Sequence, residues 1–231
     1  MALNDDLISQ ACDTLQSTWK EEETESVPEP KQLLLNSNHA KSLDLATVLY
    51  ADLNGSTNMV DNYSWQFSAE IYKIYLRSAA QIIRSEGGYI TAYDGDRIMA
   101  IFTGGHKNTS AVNAALKINY AVEKILRPAI KKQYPNYNFS LNHTIGIDTS
   151  ELRASRIGVK GDNDIVWIGK AANYAAKLCS ETQRPIWITK AVYEKINADL
   201  KLSNGTPMWQ KFNWSSMNNI EIFGSTYRKS M

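Results

Sequence analysis

Cysteine is scarce in this chain: two of 231 residues, Cys12 and Cys179. They are too few and too scattered for a disulfide framework or a thiolate metal site. Neither sign of charge is in excess, with 25 Lys+Arg against 24 Asp+Glu and a net charge of +1. No basic stripe is visible either, which argues against a polymerase, a repressor or any other nucleic-acid binder. No apolar run is long enough to cross a bilayer. The N-terminus, Met-Ala-Leu-Asn-Asp-Asp, lacks the basic and apolar parts of a signal peptide. Repeats and low-complexity tracts are absent. Together these absences predict a cytoplasmic protein with no membrane and no nucleic-acid partner. Triplets such as Asn138-Phe139-Ser140 would then stay unmodified.

What is present is the composition of an ordinary globular domain, 43% hydrophobic and 21% charged. The length suits one large domain with an appendage. Residues 4–20 carry Leu7, Ile8, Ala11, Leu15 and Trp19 at helical spacing behind a capping Asn4. Glu21 to Pro30 is acidic and has no apolar period, so it reads as a linker. The expected division is an N-terminal helix and linker, 1–43, and a catalytic domain, 44–228.

Within that domain a buried strand is expected over 46–52, and long helices over 65–84 and 110–131. A hairpin is expected around Asp94-Gly95, between strands 89–93 and 97–102. The runs 139–147 and 152–159 suggest a second hairpin. A strand at 164–168 feeds a helix at 171–181, and strands at 186–189 and 220–223 complete the sheet. Two long helices among hairpin-forming strands predict an α+β fold, a mainly antiparallel sheet with helices covering one face.

Three segments carry chemistry. Asp52 ends the apolar run Ala46-Thr47-Val48-Leu49-Tyr50-Ala51, and Asp96 sits in the turn Asp94-Gly95-Asp96. Carboxylates on rigid strand ends beside free backbone N–H groups suit divalent cations and the phosphates these carry. A nucleoside triphosphate would otherwise be repelled by about 4 kcal/mol per close charge pair. Singly, each aspartate reads as a turn or cap residue; as a pair they favour metal binding. Asn54, Gly55, Ser56 and Thr57 lead from that strand toward a helix, where backbone N–H groups could cradle phosphate oxygens. Asn173 and Lys177 are four apart, so a helix puts them on one face. An amide and a cation there could orient a ribose and balance charge on a pentavalent phosphorus. A solvent-facing polar edge is the plain alternative.

In this order the segments resemble class III nucleotidyl cyclases. The matching pieces are Leu49 through Thr57, Gly88 through Asp96 into Met99-Ala100-Ile101-Phe102, Gly146-Ile147, and Gly169 through Lys177. The resemblance covers roughly residues 45 to 225 and implies a ferredoxin-like, palm-like cyclase domain. It implies that Asp52, Asp96 and the Leu53 carbonyl hold two Mg²⁺ or Mn²⁺ ions per active site. By the same resemblance Asn173 orients the ribose, and Lys177 stands where the family usually has a transition-state arginine. The family builds its site between two chains. This chain holds both halves, so a homodimer with sites at the subunit interface is implied. The N-terminal helix and linker would brace it.

The base-reading positions depart from the purine cyclases. Ala92 replaces a lysine, Val166 replaces an aspartate, and Tyr50 replaces a phenylalanine and adds bulk and a hydroxyl. Arg97 is an unusual donor beside Asp96. The pattern resembles the pyrimidine cyclases of bacterial anti-phage (Pycsar) systems. These make cyclic UMP or cyclic CMP, which activates a separate effector without a stable complex. UTP is favoured over CTP, because a cationic donor suits the O4 acceptor of uracil. The alternatives are a cytidylate cyclase, a purine cyclase with unusual readers, and an inactive nucleotide-binding module. A diguanylate cyclase is argued against by the missing Gly-Gly-Asp/Glu-Glu-Phe motif.

Overall fold

The computed structural model describes residues 2–231. Helix α1 (Leu3–Gln16) precedes strand β1 (Lys20–Glu23) and the long strand β2 (His39–Asn54). Next come α2 (Ser56–Asn62), α3 (Trp65–Ser85), β3 (Tyr89–Asp94), β4 (Arg97–Phe102), α4 (Lys107–Ala121) and α5 (Arg127–Gln133). The second half holds β5 (Asn142–Val159), β6 (Asp162–Ile168), α6 (Lys170–Leu178), β7 (Ile186–Thr189) and α7 (Lys190–Lys195). The small pair β8 (Leu202–Ser203) and β9 (Thr206–Pro207) leads to β10 (Gln210–Trp214) and β11 (Ile220–Ser225).

The main sheet has nine strands in the order β10-β11-β7-β5-β2-β4-β3, with β1 added to β2 and β6 to β5. Among the described residues only β1–β2 and β5–β7 pair in parallel. β2 is central because its core half buries both faces. Leu49, Ala51 and Leu53 point to α3 and α4. Val48 and the half-buried Tyr50 point the opposite way, to α6. Alternation along one strand thus feeds two hydrophobic layers. The two long helices share a face, as expected, and α6 covers the other.

Ser64 caps α3 by accepting the Phe67 N–H at 3.3 Å. The helix then buries Phe67, Ile71, Tyr75, Ala79, Ile82 and Ile83. The expected helix over 110–131 is interrupted by a π-helical turn, Val122–Leu126, before α5. Pro128 stands at the start of α5 and has no N–H to give, which accounts for the break.

Three other expectations are corrected. The hairpin over 139–159 is one continuous strand, β5. Its middle, Asp148-Thr149-Ser150, stays extended because Thr149 donates its hydroxyl to the Ala46 carbonyl at 3.1 Å, locking it to β2. The hairpin partner of β5 is β6. The expected linker contains β1, which pairs Lys20–Glu23 with His39–Ser42, so the sheet draws on residues before 44. Helix α1 ends at Gln16, and none of its residues is buried in this chain.

Candidate active site

Asp52 lies near the end of β2, directly opposite Arg97 on β4. Asp96 precedes Arg97 in the two-residue turn Gly95–Asp96, closed by the pair Asp94↔Arg97. Gly95 takes φ +60°, a conformation that costs glycine little. The hairpin therefore sets Asp96 next in sequence to the residue that faces Asp52. Burial pushes the Asp52 pKa up, the Arg97 charge pulls against it, and the Asp96 charge adds to the rise. Arg97 Nη2 donates to Asp52 Oδ2 at 3.2 Å. Its Nε is buried and has no hydrogen-bond partner. The main-chain carbonyl of Asp52 accepts the Tyr75 hydroxyl at 3.4 Å, which ties the strand end to α3.

No cluster of three or more His, Cys, Asp or Glu suited to a metal occurs among the described residues. The available donors are two neighbouring carboxylates on fixed backbone, with main-chain carbonyls beside them. An all-oxygen set of this kind fits Mg²⁺ or Mn²⁺ completed by water and substrate phosphate, and does not fit a soft metal.

Gly55 adopts φ +75° and opens α2. The Asn54 side chain is committed elsewhere, exchanging hydrogen bonds with the Thr144 hydroxyl at 2.8 and 3.1 Å. What remains for an anion in this segment is the backbone of Gly55, Ser56 and Thr57.

Tyr50 sits two residues before Asp52 on the same face of β2. It packs against the cluster that includes Val48, Met99, Ala171 and Ala175. Burial pushes the Tyr50 pKa up, while the Arg97 charge pulls it down. Arg97 thus lies opposite Asp52 and Tyr50 two residues before it, whereas Ala92 is one strand further out, paired with Met99 on β4. Val166 is not near Asp52: it pairs with Ser155 on the outer part of β5, at the level of Ala40, and Trp167 beside it lies at the level of Lys41, far along β2 from Tyr50.

Helix α6 buries Ala171, Ala172, Ala175 and Leu178 against the sheet. Asn173 and Lys177 are exposed on its outer side. Lys177 Nζ lies 3.4 Å from Met217 Sδ and meets no carboxylate. No hydrogen bond or ion pair joins Asn173 or Lys177 to Asp52 or Asp96 among the described residues. One chain therefore brings together the acidic half and, separately, the amide-and-cation half.

Three buried groups near α6 were given no packing role by the sequence. Cys179 is buried against the Tyr50 carbonyl, and burial lifts its pKa to about 12, so it is inert packing. Asp148 accepts the Thr189 hydroxyl through Oδ1, and its Oδ2 has no partner. Gly146 lets the helix approach: a Cβ there would lie 2.1 Å from the Ala175 carbonyl oxygen. Only Gly146 carried a sequence signal, through its place in the cyclase-like pattern.

The fold is that of the nucleotidyl cyclases. The adenylyl cyclase CyaB from P. aeruginosa superposes with a TM-score of 0.68 at 20% identity, over 80% of this chain and 95% of that one. The guanylyl cyclase Cya2 gives a TM-score of 0.68 at 19% identity, over 81% and 94%. No family model matches the sequence. A uridylate cyclase of Burkholderia cepacia is 56% identical over 228 residues, 99% of each chain. Another, of Xanthomonas perforans, is 46% identical over 228 residues, 99% of this chain and 98% of that one. The chain belongs to the uridylate cyclase family, and it is a nucleotidyl cyclase.

Proposed function

We propose that the protein converts UTP to 3′,5′-cyclic UMP and pyrophosphate. What supports this reading is Asp52 opposite Arg97 at the end of β2, with Asp96 in the adjoining turn and Tyr50 two residues back. The names of the full-length relatives support the choice of uracil.

In the reaction the ribose O3′ forms a bond to the α-phosphorus and loses its proton, while the bond from that phosphorus to the β-phosphate oxygen breaks. Two divalent cations held by Asp52, Asp96 and the Leu53 carbonyl would make the hydroxyl more acidic and neutralise the leaving pyrophosphate. The chain's own residues do the rest. Asn173 holds the ribose so that O3′ lines up with phosphorus, and Lys177 balances the charge that builds on the phosphoryl oxygens. Tyr50 narrows the base pocket, and Arg97 offers a donor toward a carbonyl-bearing pyrimidine. The N–H groups of Gly55, Ser56 and Thr57 face the phosphates.

Asn173 and Lys177 point away from the sheet that carries Asp52, so we assign them to the site of a second copy in a two-fold homodimer. Cyclic UMP would then act on a separate effector in anti-phage defence.

The test is incubation of purified protein with Mn²⁺ and each of the four ribonucleoside triphosphates, with products resolved by mass spectrometry. Cyclic UMP should dominate; preferential cyclic CMP or cyclic AMP would overturn the substrate assignment. Asp52→Ala and Asp96→Ala should each lower turnover by 10³-fold or more, on the order of 4 kcal/mol. Unchanged circular dichroism would show that the fold persists, and full activity in either variant would mean that other carboxylates do the work.

A further inference from the structure

Helix α1 has an apolar stripe with nothing beneath it. Leu3, Leu7, Ala11 and Leu15 fall four apart, with Ile8 and Cys12 alongside. Leu3 is 73% exposed, Leu7 55%, Ile8 56% and Leu15 86%. A 14-residue helix without packing is marginal in water, so this one needs a surface to lie on. Its foot is fixed: Asn38 Nδ2 donates to the carbonyls of Thr14 and Ser17, both at 2.7 Å. This pin sets the helix beside the outer arm, Ser155 to Val159, where Ile157 and Val159 are also exposed.

At the far edge of the sheet lies a groove of about 600 Å³ between α3 and β3. Leu76, Ala80, Ile90 and Tyr93 form its apolar lining, and Arg77 and Arg84 flank it, with no acid among the lining residues. Neither arginine is in an ion pair among the described residues. β3 is the terminal strand at this end of the sheet, and an open edge is commonly covered by a helix.

We propose that α1 of one subunit docks in the α3–β3 groove of a second copy of this chain, and reciprocally. Charge complementarity selects this occupant. Asp5, Asp6 and Asp13 flank the stripe, and α1 carries no Lys or Arg. Such a helix is repelled by an anionic bilayer and attracted by Arg77 and Arg84. In its own chain, the helix is pinned against the outer arm instead of the groove. The geometry is helix-in-groove, with leucines four apart as anchors. The inference deepens the two-chain site proposed above and rests on it, because the docking would hold the two halves of each site together.

Cys12 beside the stripe supplies a native handle, since Cys179 is buried. In Gln81→Cys, whose new thiol lies between Arg77 and Arg84, a short bismaleimide should give a dimer that survives SDS. The same treatment of Cys12→Ser/Gln81→Cys should not. In sedimentation velocity, Leu7→Asp/Ile8→Asp should weaken dimerisation at least about tenfold. Arg77→Glu/Arg84→Glu should do the same, and adding Asp5→Lys/Asp6→Lys to it should restore association. A dimer with complementing active sites but no Cys12-dependent cross-link would overturn the docking and leave the shared site standing. So would dimerisation indifferent to these variants, or capture of wild-type protein by phosphatidylglycerol vesicles that is lost in Leu7→Asp/Ile8→Asp. A monomer that turns over UTP would overturn the shared site itself.

Discussion

His143 is a buried imidazole one strand away from the acidic pair, opposite Leu53 on β5. Its ring lies 6.0 Å from that of Tyr75. Burial, and then the Arg127 charge, push its pKa from 6.5 down to about 3. The folded protein therefore holds it neutral, whereas the unfolded chain takes up a proton at an ordinary histidine pKa. Between those two values the unfolded state binds more protons, so stability falls as the pH drops below 6.5, by up to about 1.4 kcal/mol per unit from this group. His143→Leu should flatten that part of the profile. Urea unfolding at pH 7 and pH 5 should show the wild type losing about 2 kcal/mol more than the variant on acidification. Equal losses would mean that His143 is already charged or hydrated in the fold. None of this is visible in the sequence, where His143 is one polar residue before an apolar run.

Helix α6 works only if it lies close to the sheet, and Gly146 sets that distance. In Gly146→Ala the new methyl group would meet the Ala175 carbonyl, which is helix backbone and cannot swing aside. The helix must lift, carrying Asn173 and Lys177 with it. The expected cost is about 1–3 kcal/mol of stability and a larger fractional loss of kcat than of apparent UTP affinity, read from thermal unfolding and initial rates. Full activity would show that α6 has slack. The elements legible in the sequence are those with a strong period or a turn residue at the right place: α3, the β3–β4 hairpin and β2 up to Asp52. In β5, Asp148-Thr149-Ser150 looks like a polar break in the sequence. Its polarity is spent inside, in hydrogen bonds to Thr189, Ala46 and Ala171. β1 is not legible, because an edge strand with exposed faces needs no apolar alternation, and Lys-Glu-Glu-Glu has none. The Arg97–Asp52 pair joins residues 45 apart in sequence, a register that only tertiary pairing defines.

At the scale of the whole molecule, the sheet separates the two groups of residues proposed to act together. The acids sit at the end of β2 and the β3–β4 turn, whereas Asn173 and Lys177 face outward from α6. If each site takes its acids from one subunit and its amide and cation from the other, two inactive variants can repair each other. An Asp52→Ala homodimer lacks the metal carboxylate in both sites, and an Asn173→Ala homodimer lacks the amide in both. Their heterodimer has one site with both defects and one with neither. Random exchange makes half of the dimers mixed, so an equimolar mixture should recover about a quarter of wild-type activity, from two preparations that have almost none alone. A site built within one chain predicts zero at every mixing ratio, because every chain is defective. The decisive measurement is cyclic UMP formation across mixing ratios, with subunit exchange verified by native mass spectrometry. A maximum at equal proportions supports the shared site, and a flat baseline despite complete exchange refutes it.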